Sequence, residues 1–326
     1  MPYSDSLTLS SLEKDPDPIL AELRKYEPVC FVPALEMWFI TKWEDVAFME
    51  SHPEIFSADT NPSFLARALG PNMLTMDKPN SSKARNAMLP AFQAGGVAGS
   101  FVSARLPELI DQTIDQFIEN GKVEIMKDFA TPISASSLAI VLGLDSHTWE
   151  EVWEWCEGLC ADIANFENDP TLTNKGNAAR DSLGKVLNKN LEELSKKPNQ
   201  TALSTFLHSI NSDPPLSQDE IVNNVRLMIS GGINEPRDGI GLVVKTVLEN
   251  PQLREELLEN DSLWRKCVEA VFRLHSPVGT ITRQTRCEVK MRDKTIPANS
   301  LVSGILLSLI HISEPTRLLS ISYAVF

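Results

Sequence analysis

The residues best suited to chemistry lie in the segment LMISGGINEPRDGIG, residues 227–241, inside an otherwise helix-forming sequence. An interior glycine costs about 1 kcal/mol of helix propensity relative to alanine, and a proline costs about 3 kcal/mol. Pro236 has no N–H to donate to the carbonyl of Gly232, so we expect the helix to open at that turn. Asn234 and Glu235 would then lie beside an open turn that can hold water or a diatomic molecule.

A second interpretation of the same segment is a loop that joins two shorter helices. The paired glycines Gly231 and Gly232 fit both interpretations, since they allow backbone or a flat ligand to approach closely. The segment alone does not distinguish the two structures.

The elements around this segment are predicted to be mostly helical. The sequence SQDE, beginning at Ser217, is typical of a capping box and predicts the start of a long helix that ends near Leu248. After Pro277 the pattern changes to short strands such as CEVKM. We therefore expect a mainly α protein with small β-sheets and no internal boundary.

The composition excludes some classes of function. The chain has 326 residues, 42% of them hydrophobic and 23% charged, which is ordinary for a globular protein. Its net charge of −14 argues against nucleic acid as a partner, because phosphates require a basic surface. The sequence shows neither a signal-peptide core nor a membrane-length apolar run, so we expect a cytoplasmic protein without a membrane anchor.

The five cysteines do not form a metal-binding pattern. Cys156 and Cys160 are four residues apart on a predicted helix, but no nearby His or Cys pair completes a zinc set. Buried thiols are the preferred interpretation.

With its surroundings, the glycine-rich segment resembles the bacterial type of cytochrome P-450, the haem-thiolate monooxygenases. The resemblance runs in order over about residues 15–306. It rests on MWFITKWEDVAFMESHPEIFSAD, LTMDKPNSSKARNAMLPAFQ, SGGINEPRDG, CVEAVFRLHSPVGTITRQT and KTIPANSLV. It implies a cytochrome P-450 fold that is incomplete at the C-terminus, with residues 1–306 as a partial domain.

The resemblance also implies a haem-binding surface. Arg85 and Arg283 occupy positions where the family places cations on the haem propionates, and a guanidinium suits a carboxylate. The usual propionate histidine is replaced by Ser81, and a nearby arginine by Lys83. Gly231 would lie against the haem.

In the oxygen-binding groove implied by the resemblance, the catalytic positions are Gly232, Asn234 and Glu235. Asn234 stands where the family has a proton-relaying acid, and Glu235 stands where it has a hydroxyl. A glutamate could still deliver protons, directly or through water.

The family's Glu-x-x-Arg pair is imperfect, and its thiolate is not recognisable. Arg273 aligns with the arginine, but the glutamate position is Ala270. Glu269, one place away, is predicted to form an i,i+4 ion pair with Arg273. No cysteine stands in the glycine-rich setting that the family uses to ligate iron, so no metal ligand is assigned.

The resemblance implies a haem b (iron protoporphyrin IX) enzyme that inserts one oxygen atom of O₂ into an apolar small molecule and reduces the other to water. Electrons would come from NAD(P)H through a ferredoxin and ferredoxin reductase, and we expect a monomer. Residues 60–75 and 150–215 would form the substrate mouth, including Trp153, Trp155 and Phe166, although core or lid packing is the more usual role of such tryptophans. The chain as it stands is expected to be inactive.

An alternative function is a haem-free, catalytically dead helical module that binds a ligand or partner. In that interpretation the replacement of family residues by Ser81, Asn234 and Ala270 reflects a loss of catalytic activity.

The C-terminal segment 307–326 departs from the family pattern. Its sequence LSLIHISEPTR resembles a translated sequencing adapter, and ISYAVF resembles the adapter sequence that follows. We expect this tail to be non-native.

Overall fold

The computed structural model describes residues 2–311 and is mainly helical with two small β-sheets, which confirms the predicted fold class. Its α-helices are α1 (Leu9–Lys14), α2 (Pro16–Tyr26), α3 (Trp43–Ser51), α4 (Phe64–Leu69), α5 (Asn80–Phe92), α6 (Val97–Ala104), α7 (Leu106–Asp115), α8 (Thr131–Leu142), α9 (Trp149–Ile163), α10 (Pro170–Lys196), α11 (Ala202–Leu207), α12 (Gln218–Glu249), α13 (Pro251–Glu259) and α14 (Trp264–Leu274). Its strands are β1 (Val29–Val32), β2 (Met37–Ile40), β3 (Phe56–Ser57), β4 (Thr280–Thr285), β5 (Val289–Met291), β6 (Lys294–Ile296) and β7 (Leu301–Ile305).

The chain divides into two compact units, whereas the sequence analysis predicted no internal boundary. The sheet unit comprises the residues up to Pro62 and those from Leu242 onward, and the helical unit comprises Ser63–Gly241. The boundary falls within α12, so one continuous helix contributes to both units.

The larger sheet of the sheet unit has the order β1-β2-β7-β4-β3. Strand β2 runs parallel to β7, and the other neighbours are antiparallel. Strands β5 and β6 form a separate antiparallel pair. The side chains of Ile40, Met49 and Val302 are fully buried in the core of this unit.

The predicted tail boundary at residue 306 is not marked by a change in packing. Leu306 and Leu309 are both buried in the sheet unit. The Ser308 hydroxyl donates to the Thr41 carbonyl oxygen at 2.7 Å and accepts from Arg24 at 3.1 Å. Residues 312–326 of the predicted tail lie outside the described residues.

The helical unit is held by α8, α9, α10 and the first part of α12. Its core contains Leu142, Leu159, Leu183 and Ile229, all fully buried. Helix α8 is followed by Gly143, whose φ of 88° is the left-handed conformation typical of a C-cap glycine.

One helical stretch in the described residues, Ile125–Leu142, is apolar and long enough to cross a membrane, and half of it is buried inside the fold. It begins with a π-helical turn, Ile125–Ala130, and continues as α8. Leu138 and Leu142 belong to the core of the helical unit, which accounts for the apolar composition.

Candidate functional site in helix α12

Helix α12 is continuous from Gln218 to Glu249, with Pro236 inside it. Its predicted capping box is present: Ser217 N–H donates to Glu220 Oε2 at 2.7 Å, and Glu220 N–H donates to Ser217 Oγ at 3.2 Å. The alternative of a loop joining two shorter helices is therefore wrong. The predicted opening of the turn at Pro236 stays a prediction. Pro236 removes one backbone donor without ending the helix.

Side chains from two other helices hydrogen-bond to the backbone of α12 in this segment. The Ser134 hydroxyl of α8 donates to the Ile233 carbonyl oxygen at 2.7 Å, in a buried position. The thiols of Cys156 and Cys160 on α9 both donate to the Ser230 carbonyl oxygen, at 3.6 and 3.5 Å. Helices α8 and α9 thus hold α12 on both sides of the carbonyl that lacks its usual donor.

Glu235 is half-buried, and its carboxyl group lies against the backbone of Gly231 with the Oε2 atom buried. A Cβ atom built on Gly231 would lie 3.4 and 3.5 Å from its two oxygens. Glu235 Oε2 has no hydrogen-bond partner in the part of the chain that the structure describes. Burial, and to a lesser degree the charge of Asp238, raises the pKa of Glu235 from its ordinary 4.5 to about 7, against a smaller lowering by a backbone hydrogen bond. Glu235 therefore exchanges a proton near neutral pH, as a general acid or base requires.

Asn234 is held by an arginine that the sequence analysis missed. Arg237 Nη1 lies 3.5 Å from Asn234 Oδ1 and 2.8 Å from Asp238 Oδ1. Its Nε donates to Thr131 Oγ1 of α8 at 2.9 Å, and its guanidinium lies 4.6 Å from the ring centre of Trp153 on α9. The spacing of Arg237, one turn after Asn234, was the sequence signal available for this contact.

The aromatic residues predicted at the substrate mouth have different surroundings. Trp155 is buried in the core and donates to Ser182 Oγ at 3.2 Å, so packing is its role. Phe166 is 46% exposed and forms an edge-to-face pair with Phe64, with ring centres 4.9 Å apart. Residues of both predicted mouth segments therefore meet in this pair.

Ser81 and Arg85 lie on α5, and both are half-buried. Two residues after Ser81, the Lys83 ammonium makes an ion pair with Glu220 of α12, at 2.9 Å. Lys83, which replaces a family arginine, therefore pairs with a residue of the helix that carries Glu235. The predicted propionate contacts of Ser81 and Arg85 stay predictions.

Arg283 belongs to strand β4 of the sheet unit and forms an ion pair with Glu50 of α3. The distance between Arg283 Nη2 and Glu50 Oε2 is 3.0 Å, and the two side chains are only 17% and 13% exposed. A second donor, Nη1, contacts the Thr282 carbonyl oxygen at 2.9 Å. The Arg283 guanidinium is therefore paired with Glu50. The predicted contact of Arg283 with a haem propionate stays a prediction.

The ion pair predicted between Glu269 and Arg273 is wrong. Glu269 Oε1 instead accepts from Arg265 Nε at 2.9 Å, one turn earlier on α14. Both arginines lie four residues from Glu269, so either can reach it from the same face of the helix. Arg273 itself is half-buried and Ala270 is exposed, and the proposed structural role of Arg273 stays a prediction.

The cysteines do not fit the role of a haem-iron thiolate. Cys30 and Cys267 are buried, and burial raises both pKa values, that of Cys30 to about 12. Cys156 and Cys160 donate to a helix carbonyl, and Cys287 is exposed. Within residues 2–311, the structure shows no group of three metal-ligating side chains. That the thiolate of a haem iron comes from other sequence stays a prediction.

No family model matches the chain, but curated proteins do. It is 23% identical to pulcherriminic acid synthase of Bacillus subtilis over 302 residues, which are 91% of this chain and 73% of that protein. It is 27% identical to vitamin D(3) 25-hydroxylase of Pseudonocardia autotrophica over 304 residues, covering 89% and 72%. It is 25% identical to cytochrome P-450 107B1 of Saccharopolyspora erythraea over 287 residues, covering 83% and 68%.

Solved structures show the same fold. The structure of P-450BioI in complex with an acyl-ligated acyl carrier protein matches with a TM-score of 0.83 at 20% identity, over 94% of this chain and 81% of that one. CYP109E1 of Bacillus megaterium in complex with testosterone matches with a TM-score of 0.80 at 19% identity, over 92% and 79%. As its sequence motifs predicted, the chain is similar in sequence to bacterial cytochromes P-450, and it has their fold.

Proposed function

We propose that this chain forms the oxygen-side groove and substrate mouth of a haem-dependent monooxygenase. The reaction inserts one oxygen atom of O₂ into an apolar small molecule and reduces the other to water. The observation that carries the proposal is the buried carboxyl of Glu235, whose Oε2 has no hydrogen-bond partner within residues 2–311 and lies over Gly231. The curated relatives, which include a hydroxylase, support the reaction class.

Each residue of the groove has a distinct part in this proposal. Glu235 holds a proton at its buried carboxyl and releases it near neutral pH. Asn234 orders the polar side of the groove, because its amide oxygen faces Arg237. Gly231 and Gly232 have no side chains, so their backbone is accessible in the groove. A Cβ atom on Gly232 would lie 3.2 Å from Leu138 Cδ2.

The finer parts of the proposal concern cofactor, partners and location. Haem b would be contacted by Gly231, Ser81, Arg85 and Arg283, and its thiolate would come from sequence other than the described residues. Electrons would come from NAD(P)H through a ferredoxin-type partner to a monomeric, cytoplasmic enzyme. The substrate would be apolar, in keeping with the testosterone in the CYP109E1 structure and with the name of the vitamin D(3) hydroxylase.

We also propose that residues 1–306 are the cytochrome P-450 part of the chain and that 307–326 are not native. The departure of LSLIHISEPTR from the family pattern supports this boundary. Resequencing the source DNA across codon 306 tests it. A genomic sequence that continues unchanged through codon 326 would contradict it.

Haem binding tests the proposed function in two steps. The full chain, reconstituted with haem and reduced under carbon monoxide, should show no absorption band of the thiolate type, since no described cysteine is suitably placed. A chimera in which the haem-ligand segment of the vitamin D(3) hydroxylase follows residue 306 should show that band. A folded chimera that binds no haem would contradict the monooxygenase and favour the haem-free binding module. A thiolate band from the unmodified chain would contradict the assignment of the iron ligand.

A further inference from the structure

We propose that Asp238, held in place by Arg237, is the group through which Glu235 exchanges its proton with solvent. The inference rests on the proposed function of Glu235 and adds two residues that the sequence analysis did not place in the oxygen-binding groove. Asp238 would transfer the proton, and Arg237 would hold Asp238 in position.

The positions of the two carboxyl groups on α12 support a path from solvent to the interior. Glu235 and Asp238 are three residues apart, which makes them neighbours on one face of the helix. The side chain of Asp238 is 43% exposed, whereas Glu235 Oε2 is buried and has no hydrogen-bond partner among residues 2–311. The Asp238 carboxylate is therefore more open to water than the Oε2 atom of Glu235.

Both carboxyl groups hold a proton more readily than free carboxyl groups do. Burial is the main cause that raises the pKa of Glu235 to about 7, and the negative charge of Asp238 adds a smaller rise. Burial raises the pKa of Asp238 too, but the adjacent Arg237 guanidinium lowers it. A proton that Asp238 takes from water is thus passed to Glu235: the O–H bond on Asp238 breaks, a new one forms on Glu235, and Asp238 returns to its ionised form.

Arg237 fixes Asp238 by contacts with two other helices. It donates to Asp238 at 2.8 Å and to Thr131 of α8 at 2.9 Å, and it lies over the Trp153 ring of α9. A planar guanidinium makes such contacts in fixed directions, which a lysine ammonium does not. We infer that Arg237 keeps Asp238 beside Glu235 and not turned into solvent.

Two thiols of α9 are the other titratable groups that face Glu235. The hydrogen bond between these two thiols raises the pKa of Cys156 and lowers that of Cys160, and the Glu235 charge acts more weakly to raise both pKa values. Cys156 is fully buried and gives no route to water, whereas Cys160 is partly exposed and offers a competing route. The groups of α8 near this segment, Ser134 and Thr131, are hydroxyls that do not titrate near neutral pH.

Infrared spectroscopy of the full chain without haem tests the inference. The carboxylic acid band of Glu235 is identified by its loss in Glu235→Gln, and rapid mixing into D₂O measures its exchange rate. Asp238→Asn should slow that exchange about tenfold or more, on the scale of a lost acid–base group, and should lower the pH midpoint of the Glu235 band. Asp238→Glu should keep the wild-type rate, and Arg237→Lys should lie between.

A matched control is Glu249→Gln, which removes an exposed carboxylate from the end of the same helix and should leave rate and midpoint unchanged. An unchanged exchange rate in Asp238→Asn would overturn the inference even if the midpoint falls. Slow exchange in Cys160→Ser, with normal exchange in Asp238→Asn, would assign the path to the thiol instead. Because this experiment uses the chain without haem, its result can be interpreted even if the monooxygenase proposal fails.

Discussion

Replacing Glu235 by glutamine should remove most of a pH-dependent loss of stability. The pKa of Glu235 is raised from 4.5 to about 7, so between these values the folded chain keeps a proton that the unfolded chain has released. The free energy of unfolding must then fall as pH rises through this window. A shift of about 2.5 units, at about 1.36 kcal/mol each, corresponds to about 3 kcal/mol at full ionisation. Most of this loss falls between about pH 5 and pH 8.

Urea unfolding followed by far-UV circular dichroism at several pH values between these limits measures the effect. Wild-type protein should lose about 2 to 3 kcal/mol more stability across the window than Glu235→Gln does. At the acidic end the two proteins should be similar, since both then carry a neutral side chain with one unpaired polar group. Glu249→Gln, which removes an exposed carboxylate from the same helix, should follow the wild type. Parallel stability curves for wild type and Glu235→Gln would refute the reasoning, because the carboxyl would then ionise as easily in the fold as in the unfolded chain.

Three further substitutions test individual contacts by the same unfolding measurement. Pro236→Ala restores a backbone donor in an already continuous helix and should stabilise the chain by about 1 to 3 kcal/mol; a loss of stability would show that the proline conformation is required. Arg283→Ala leaves Glu50 buried without its cation and should cost about 3 kcal/mol or more, with a smaller cost when Glu50→Ala is added; equal costs would contradict a coupled pair. Ser134→Ala removes a donor to the Ile233 carbonyl and should cost about 1 kcal/mol; no change would show that the contact is energetically neutral.

Much of the fold was predictable because its signals are local. The pairing of Ser217 with Glu220 and the glycine at 143 depend on spacing within a few residues, and the structure has both. The strands after Pro277 were predictable for the same reason, since the β-propensity of their residues needs no knowledge of the neighbouring strand.

The sequence analysis did not predict contacts between residues that are far apart in the sequence. The pairing of Arg283 with Glu50 joins residues 233 positions apart, and the contact of Arg237 with Trp153 joins two different helices. Propensity and motif spacing carry no information about such partners. Glu269 shows the same limit at short range: two arginines lie four residues away, and which one pairs depends on the surrounding packing and not on spacing.

The glycines of α12 have a packing role that the propensity argument missed. At Gly241 a Cβ atom would overlap the Met126 sulfur, and at Gly232 it would press on Leu138. At these two positions, therefore, a residue without a side chain lets the π-helical turn and α8 approach the α12 backbone closely. Ser134, Cys156 and Cys160 add donors to the same stretch, which offset part of the intrinsic cost of glycine and proline. The helix thus stays continuous because its neighbours hold it, and the buried carboxyl of Glu235 keeps a fixed place on a rigid element, as directional proton transfer requires.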